Sequence, residues 1–512
     1  EHANALLMKY ALGNMLNGAG GLNPDGLALD LQFAADKTLT ARRGPTPTFS
    51  RSSSGTFVNA NGLIVGKTEG TTSSITPSTQ TIGSQVTVTV ASGSVVGWVI
   101  GQAISLIVDT DGQDDPDANE LWLLGNIVAI GANTLTFEVT SRTTQTGSAS
   151  SWTLGYRGPR FDHDPITPFA CKGLLIEESR ENLLKYSQEF ENIAWGKLET
   201  TVSANSAVAP DGTTTADKLI PSVASNQHVV SSVITSAASP YTVTVYAKAD
   251  GYNWIWFNSN GSGAITTDLC WFDVLNGVTG TAQAKATTSI QSMGNGWFRC
   301  VCSWGAFTVG TPSIWIGVSN GNNISSFAGD GTSGVIIWGA QIEAGAFATS
   351  YIPTTATALT RSADVCSITG ASFTGMYNQA EGAMLVDAFT PASGIRNIVT
   401  CLAPFGKEVT LLTNVSAAEL EVVDGVSQVN MSSGSPISPN TAFKLACAYK
   451  LNDFALTKNG VAPQTDTSGT VPTVNAMIVG SGPAGKTMCG CVSSLRYYRK
   501  RLSDAKIQTL TT

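Results

Sequence analysis

Histidine and charged side chains are scarce in this sequence of 512 residues. It contains 3 histidines, and Asp, Glu, Lys and Arg together make up 13%. General acid–base catalysis by histidine therefore has few candidates. The net charge is −8, the sequence pI is about 5.0, and no basic stripe offsets the acidic balance. Such a surface repels the phosphates of a nucleic acid, so we expect no nucleic-acid binding.

Long apolar runs and common catalytic motifs are also missing. No stretch approaches 18 consecutive apolar residues, so we expect no transmembrane helix and no membrane insertion. The sequence contains neither G-x-S-x-G nor H-E-x-x-H. Glu419, Glu421 and Asp424 come nearest to the E-x-D-x-x-E pattern of concanavalin-like glycosidases, but in the wrong order. We therefore expect no enzymatic activity. A carboxylate pair assembled across strands stays open, because glycosidases need only two such groups.

Cysteine is present without the partners that a zinc site needs. Two of the cysteine pairs, Cys300/Cys302 and Cys489/Cys491, have C-x-C spacing, which places both thiols on one face of a strand. Neither histidines nor further cysteines stand at ligand spacing, so zinc is not expected. The pattern favours buried free thiols.

Glycine, serine and threonine dominate the composition, which is typical of short strands and turns and unsuited to long helices. Short apolar alternation, such as VTVTV at 86–90, recurs between turn residues along most of the chain. A chain of this length needs several hydrophobic cores. We therefore predict an all-β, multidomain protein of β-sandwiches (jelly rolls), with a small inserted β-barrel-like domain and a short N-terminal helix.

The predicted domain boundaries follow changes in composition. Residues 3–16 form the clearest helical stripe, and Ser503 can cap a second helix, DAKIQTL. The predicted domains are a helical anchor segment (1–26), a β module that carries PRFDHDP (27–68 plus 156–181), an inserted small β domain (69–155), a jelly roll (182–365) and a second β-sandwich (366–512).

The aromatic residues of YNWIWFNSN are the strongest candidates for a binding site. Tyr252, Trp254 and Trp256 recur at every second position, so on a strand they share one face. A flat indole suits the apolar C–H face of a sugar ring, and a nearby amide such as Asn258 binds the hydroxyls. Together with Trp195 from the same region, these residues are predicted to bind carbohydrate. For each tryptophan the alternative is that it fills the space between two sheets.

The acidic loop DTDGQDDPDANE (109–120) is the candidate for a metal site. Asp109, Asp111 and Glu120 stand at positions 1, 3 and 12 of an EF-hand count. Position 6 is Asp114 instead of glycine and no helices flank the loop, so the EF-hand pattern fails. We predict no cofactor. A structural Ca²⁺ ion in an irregular loop stays open beside a solvated hairpin loop.

Several stretches resemble modules of bacteriophage fibre and spike proteins. GLIVG, PRFDHDP and KGLLIEESRENLLKYSQEF, followed by Trp195, resemble the opening of a module common in such proteins, and GAQIEAGAFATSYIPTTATALTRSAD (339–364) resembles its close. The resemblance implies that 182–365 is a carbohydrate-binding jelly roll of the head-spike and tail-fibre type. Residues 366–512, ending SSLRYYRKRLSDAKIQTLTT, resemble a concanavalin/laminin-G-like lectin domain.

The resemblance implies a virion fibre or spike protein that binds host surface polysaccharide without cleaving it. It implies a homotrimer on the virion surface, made in the host cytoplasm, whose N-terminal segment docks to other virion proteins. FDHDP is a linker in the module, so His163 is expected to be structural, with metal binding and catalysis as alternatives. Two other functions stay open: a purely structural decoration, collar or tail component of the virion, and a polysaccharide depolymerase.

Overall fold

The computed structural model describes the chain from residue 25 to residue 512, apart from positions 91–94, 96–97, 99, 109–120, 167, 265–268, 285, 392–393, 415–416 and 483–485. About 54% of the structure is strand and 5% is helix. The predicted all-β, multidomain class is therefore confirmed. The predicted helix over 3–16 and the predicted Ca²⁺ ligands Asp109, Asp111 and Glu120 lie outside the described residues and stay predictions.

The chain divides into two compact units, and both are built from discontinuous segments. The central unit contains Ser50–Cys171 and Ser179–Asp364. The terminal unit contains the residues up to Phe49, Lys172–Glu178 and Val365–Thr512.

A small closed barrel forms the first part of the central unit. Its sequence alternates as barrels require: Val86, Val88 and Val90 point to the interior, while Gln85, Thr87 and Thr89 between them are exposed. The barrel consists, in spatial order, of the strands Ala149–Tyr156, Lys67–Ile75, Gln85–Val90, Thr134–Arg142, Leu121–Ile130 and Ala103–Val108.

Two six-stranded antiparallel sheets form a sandwich in the rest of the central unit. The first sheet contains, in spatial order, Gly196–Leu198, His228–Val233, Ser313–Ser319, Trp254–Asn260, Cys270–Asp273 and Val278–Ala282. The second contains Thr200–Ala207, Ala216–Pro221, Gly334–Ala344, Pro240–Asp250, Trp297–Ala306 and Ala286–Gly294. One core of buried apolar side chains lies between them, and both thiols of the first C-x-C pair, Cys300 and Cys302, belong to it.

Three two-stranded pairs complete the central unit, together with the strand Arg160–His163. The pairs are Phe57–Val58 with Ile64–Val65, Arg180–Asn182 with Leu359–Arg361, and Ser225–Asn226 with Phe327–Ala328.

The PRFDHDP stretch is tied into the central unit by buried polar contacts. Arg160 and Arg51 both bond the carboxylate of Asp364, and the Arg51 contact measures 2.8 Å from Nη1 to Oδ1. All three side chains are fully buried. Asp162 Oδ1 accepts a hydrogen bond from the backbone N–H of Val58 at 2.9 Å, and Nδ1 of the buried His163 lies 3.1 Å from the Val58 carbonyl oxygen. These contacts give the stretch a structural role in this unit.

The terminal unit is a second sandwich. Its first sheet contains Cys171–Ile176, Gly490–Tyr498, Glu381–Thr390, Thr441–Lys450, Asp453–Lys458 and Gln464–Asp466, with Leu27–Leu31 also paired to Gly490–Tyr498. Its second sheet contains Thr48–Ser50, Val365–Thr369, Ala476–Val479, Arg396–Ala403, Lys407–Thr413, Ala418–Asp424 and Ser427–Ser432. The Sγ atom of Cys401 lies 3.9 Å from Sδ of Met384 in the opposite sheet, so the two inner faces meet.

Two segments far apart in the sequence complete one edge of this sandwich. Leu27–Leu31 pairs with residues 495–498, and residues 174–176 pair with 490–492 of the same strand. Both segments lie within the predicted β module (27–68 plus 156–181) that carries PRFDHDP. The pairing joins segments that are hundreds of residues apart, which local periodicity does not reveal.

The α-helices in the described part of the chain are all short. They span Phe33–Asp36, Gly370–Met376 and Asp504–Leu510. Ser503 caps the last of these as predicted: its Oγ accepts a hydrogen bond from Lys506 N at 3.3 Å. Within the described residues, no helix has the length and apolar character needed to cross a bilayer. None of the nine cysteines forms a disulfide, and eight of them are buried.

Candidate functional site

The strand Trp254–Asn260 presents aromatic residues on both of its faces. Ile255 and Phe257 point inward and belong to the core between the two sheets of the central sandwich. Trp254 and Trp256, at the alternate positions, point to the outer face. The outer face of a sandwich normally carries polar residues, so this side of the strand is the exception that needs an explanation.

Four tryptophans from three neighbouring strands gather on that outer face, and we call this cluster the Trp face. It comprises Trp254, Trp256, Trp271 and Trp315, packed with Val229 and Leu269. The pairing register brings them together, because Trp256 lies directly opposite Trp271 on one side and Asn258 lies opposite Trp315 on the other. The ring centroids of Trp256 and Trp315 are 6.5 Å apart.

Two glycines make room for the indoles to lie across the sheet. A Cβ atom at Gly317 would stand 2.1 Å from Cε2 of Trp256, and one at Gly280 would stand 2.6 Å from Cζ3 of Trp254. Neither contact is tolerable, so the absence of a side chain at each glycine leaves room for a tryptophan ring to lie over that position. The backbone also holds the rings, since Nε1 of Trp256 donates to the Val318 carbonyl at 3.3 Å.

The Trp face has a buried base and two partly exposed indoles. Trp256 is 0% exposed and Trp271 2%, whereas Trp254 and Trp315 are both partly exposed. Trp315 is oriented by a hydrogen bond from its Nε1 to Ser313 Oγ at 3.1 Å. Rings held in this way lose little entropy when a ligand stacks on them.

Asn258 carries an unsatisfied polar atom beside Trp315. Its Oδ1 atom is buried and accepts no hydrogen bond within the described structure. Leaving such an acceptor unsatisfied costs about 1–3 kcal/mol. A ligand hydroxyl that donates to Oδ1 would recover this free energy while its apolar side covers the neighbouring indole. The face thus offers both kinds of contact that a sugar ring makes.

The structure separates two of the predicted residues from this face. Trp195 is 2% exposed and belongs to the core between the sheets, where its Nε1 donates to the Tyr186 carbonyl at 3.0 Å. Tyr252 precedes the strand and packs against the same core, with its ring 5.1 Å from that of Phe327. Burial and the nearby charge of Asp330 raise the pKa of Tyr252. Trp254, Trp256 and Asn258 are the predicted residues that the structure brings together.

Trp271, Trp315 and Gly317 also belong to the face, although the prediction did not include them. Their strands, CWFD and SIWIGVS, alternate in the same way as WIWFNSN, with Cys270, Phe272, Ile314 and Ile316 pointing inward. The period of two therefore indicated an outward tryptophan in each strand. Only the order of strands in the sheet shows that the three indoles are neighbours.

Metal and phosphate sites find little support among the described residues. No group of three His, Cys, Asp or Glu side chains in that part of the chain could hold a metal ion. The stretch GSGPAGKT (480–487) has the spacing of a phosphate-binding loop and follows the strand Ala476–Val479. The chain then continues into the strand Gly490–Tyr498. Among the described residues of this stretch, no helix N-terminus of the kind that holds phosphates in such loops is found.

Comparisons with known proteins identify no family: no protein-family model and no curated protein match the chain. Solved structures that match the chain include the CBM40 of Ruminococcus gnavus IT-sialidase bound to α2,3-sialyllactose, with 12% identity over 28% of this chain and 88% of that one (TM-score 0.24). Mouse laminin α1 domains LG4-5 match with 12% identity over 55% and 89% (TM-score 0.21). Trypanosoma rangeli sialidase, in complex with 2,3-difluoro-KDN, matches with 10% identity over 94% and 97% (TM-score 0.24). Similarities of this size carry no argument about ligand or activity.

Proposed function

We propose that this protein is a bacteriophage virion fibre or spike that attaches to host-surface polysaccharide through the Trp face without cleaving it. The observation that carries the proposal is the pairing of two partly exposed indoles, Trp254 and Trp315, with the unsatisfied acceptor Asn258 Oδ1 on one outer face. A face that served only as a solvated surface would gain nothing from exposed indoles or from an unsatisfied amide. The resemblance to phage modules in the flanking stretches supports the virion setting.

We expect attachment through the Trp face to combine many weak contacts between indoles and sugar rings. Trp254 and Trp315 stand four residues apart along adjacent strands, so the face is long enough for more than one sugar ring. Each ring would stack on an indole, and one hydroxyl would donate to Asn258. Several copies on one virion would multiply a weak affinity into firm attachment. A homotrimer docked to other virion proteins through the N-terminal segment would provide these copies.

Binding of the labelled protein to bacterial cells tests this function. A panel of strains is compared with isogenic mutants that lack surface polysaccharide. We expect binding to at least one strain, loss of binding to its mutant, and at least a tenfold loss with Trp254→Ala or Trp315→Ala. Phe405→Ala is the matched control, because Phe405 is 92% exposed and lies in the terminal unit. Equal loss with the control variant would contradict a specific role for the Trp face.

A second candidate is a structural virion component whose Trp face is covered by a neighbouring protein. Leu198 and Val233 favour it, because they lie on outward positions of the same sheet and are 39% and 65% exposed. They extend the apolar surface beyond the indoles. This candidate predicts that the folded protein binds neither the parent strains nor the mutants, and that Val233→Asp blocks virion assembly.

A further inference from the structure

The exposed indole of Trp315 has uncharged polar neighbours. Ser231 lies directly opposite it on one adjacent strand, and Asn258 lies directly opposite it on the other. Opposite residues in an antiparallel sheet point to the same side, with Cβ atoms about 4.5–5.5 Å apart. Ser231 is partly exposed, and its hydroxyl can donate or accept a hydrogen bond. This end of the Trp face therefore offers hydroxyl and amide groups, which suit the hydroxyls of a sugar.

The exposed indole of Trp254 has a carboxylate beside it. Asp273 lies directly opposite Trp254 on the outer face. The turn that follows holds the carboxylate: Oδ1 accepts hydrogen bonds from the backbone N–H groups of Leu275 and Asn276 at 3.0 and 3.1 Å, and Oδ2 accepts one from Asn276 Nδ2 at 2.8 Å. A ligand stacked on Trp254 lies well within the roughly 10 Å over which charges act in dilute salt. The negative charge thus has a fixed position at this end of the face.

The surroundings of the face leave this negative charge unopposed. Asp273 is the charged residue among the outward positions of the six strands, every residue of which the structure describes. Lys197 stands at an inward position of its strand, and its Nζ donates to three backbone carbonyl oxygens at 3.0 Å. Residues 320–326 border the face, because Nε1 of Trp271 donates to the Ile324 carbonyl at 3.1 Å, and they are uncharged.

This distribution of charge discriminates between classes of glycan. A uronic acid, phosphate or sulfate group on a sugar at Trp254 would meet the carboxylate of Asp273, and the net charge of −8 would repel a chain of such sugars. Specificity often depends on a repulsive element of this kind against the wrong ligand. A neutral sugar meets no such repulsion, and its apolar face can cover an indole while its hydroxyls contact Ser231 and Asn258.

We propose that the Trp face is selective for neutral polysaccharide and discriminates against chains that carry carboxylate, phosphate or sulfate groups. The inference rests on the attachment function proposed above and names the class of glycan that the face binds. Salt screens interactions between charges but has little influence on stacking and on hydrogen bonds between neutral groups. The affinity for the polysaccharide should therefore depend little on the salt concentration.

Fractionated surface polysaccharide tests the proposal. Polysaccharide from a strain that the protein binds is purified and separated by anion exchange into an unretained neutral fraction and a retained acidic fraction. Each fraction is titrated calorimetrically into the full chain. We expect binding to the neutral fraction, with an affinity that changes less than about twofold between about 0.1 and 1 M salt. Trp254→Ala should weaken this binding at least about tenfold.

Leu198 offers a variant that should change the preference for charge. It lies at an outward position of the same sheet and is 39% exposed, so Leu198→Lys adds a positive charge to the outer face. This variant should bind the acidic fraction at least about threefold more tightly than the unchanged protein at about 0.1 M salt, and the gain should disappear at about 1 M. Leu198→Gln is the matched uncharged control and should show no gain.

Two outcomes would overturn the selectivity while the attachment function stands. The first is binding of the acidic fraction by the unchanged protein as tightly as, or more tightly than, the neutral fraction, with loss of that binding in Trp254→Ala. The second is an equal gain for the acidic fraction with Leu198→Lys and with Leu198→Gln. Binding of neither fraction by the folded protein would remove the attachment function and this inference with it. Thermal unfolding of each variant checks that it folds.

Discussion

The Trp face of the central unit and the outer face of the second sheet in the terminal unit, which carries Glu408, Glu419 and Glu421, have opposite chemistry. Each belongs to a six- or seven-stranded antiparallel sheet, and in both units the inner faces are built from similar apolar residues. On the outside, the central unit carries indoles backed by glycine, and the terminal unit carries hydroxyls and carboxylates. Because strand residues alternate, the inner positions set the fold and the outer positions are free to acquire a binding chemistry.

Substitution at the base of the Trp face is expected to have the largest effect on stability. Trp256 is fully buried, so Trp256→Ala should lower the free energy of unfolding of the central unit by about 3–5 kcal/mol. Trp254→Ala, at the partly exposed position, should cost less than half of that. Denaturant titration of both variants measures the difference. Equal losses would contradict the assignment of Trp256 to the buried base of the Trp face and of Trp254 to a partly exposed position.

The central unit should lose stability between pH 4 and pH 7. Burial, reinforced by Glu191, raises the pKa of Asp217 to about 7, against an ordinary value near 4 in the unfolded chain. The folded state holds the proton more tightly, so this contribution is complete below pH 4 and is lost as the pH rises through 7. Three pKa units correspond to at most about 4 kcal/mol. Thermal unfolding followed over this range should show the loss.

Asp217→Asn is the control for this pH dependence. It keeps a polar side chain beside the backbone N–H groups of Phe190 and Asn205, which bond the carboxylate at 2.8 and 2.9 Å, but it cannot ionise. The variant should therefore have a flatter stability profile between pH 4 and 7. A profile as steep as that of the unchanged protein would assign the dependence to other groups.

Glycine at position 317 is expected to matter for the Trp face alone. Gly317→Ala places a methyl group where Trp256 lies, which should cost about 1–3 kcal/mol and weaken glycan binding. Gly375→Ala is the matched control, because Gly375 lies in the helix Gly370–Met376 with no atom near its added Cβ. That variant should be neutral or slightly stabilising. Calorimetric unfolding of both proteins provides the comparison.

The smallest expected effect is a gain in stability in the terminal unit. Glu421→Gln removes the charge that raises the pKa values of Glu408 and Glu419, so at neutral pH it should stabilise this unit by up to about 1 kcal/mol. The gain should vanish at low pH, where Glu408 and Glu419 are protonated. A loss of stability at neutral pH would show that Glu421 makes a favourable contact, and would weaken the comparison between the two faces.

Local periodicity in the sequence was enough to predict the class of fold and the direction of individual side chains. It places Trp254 and Trp256 on one face and both thiols of Cys300 and Cys302 on another, and it identifies Ser503 as a helix cap. Each of these depends on residues within one strand or one helical turn.

Neighbours across strands could not be predicted in the same way. Trp271 and Trp315 join Trp256 only because three strands separated by long intervals lie side by side. Glu408 meets Glu421 through a register that the turn between their strands sets. Tyr252 seemed to continue the alternation of Trp254, but it stands before the strand begins and its ring turns to the core. The alternation of side chains shows which residues of one strand share a face, but it does not show which strands lie next to it in the sheet.

The edge strands of the terminal unit have a consequence for biosynthesis. The strand Gly490–Tyr498 is synthesised nearly 460 residues after its partner strand Leu27–Leu31. The central unit can fold while the chain is still being synthesised, since its segments end at Asp364. The first strand must wait unpaired, exposing an apolar edge, until translation passes residue 498. A nascent chain that stops before Gly490 would lack the partner of Leu27–Leu31. We therefore expect chaperones to bind such truncated products and proteases to degrade them.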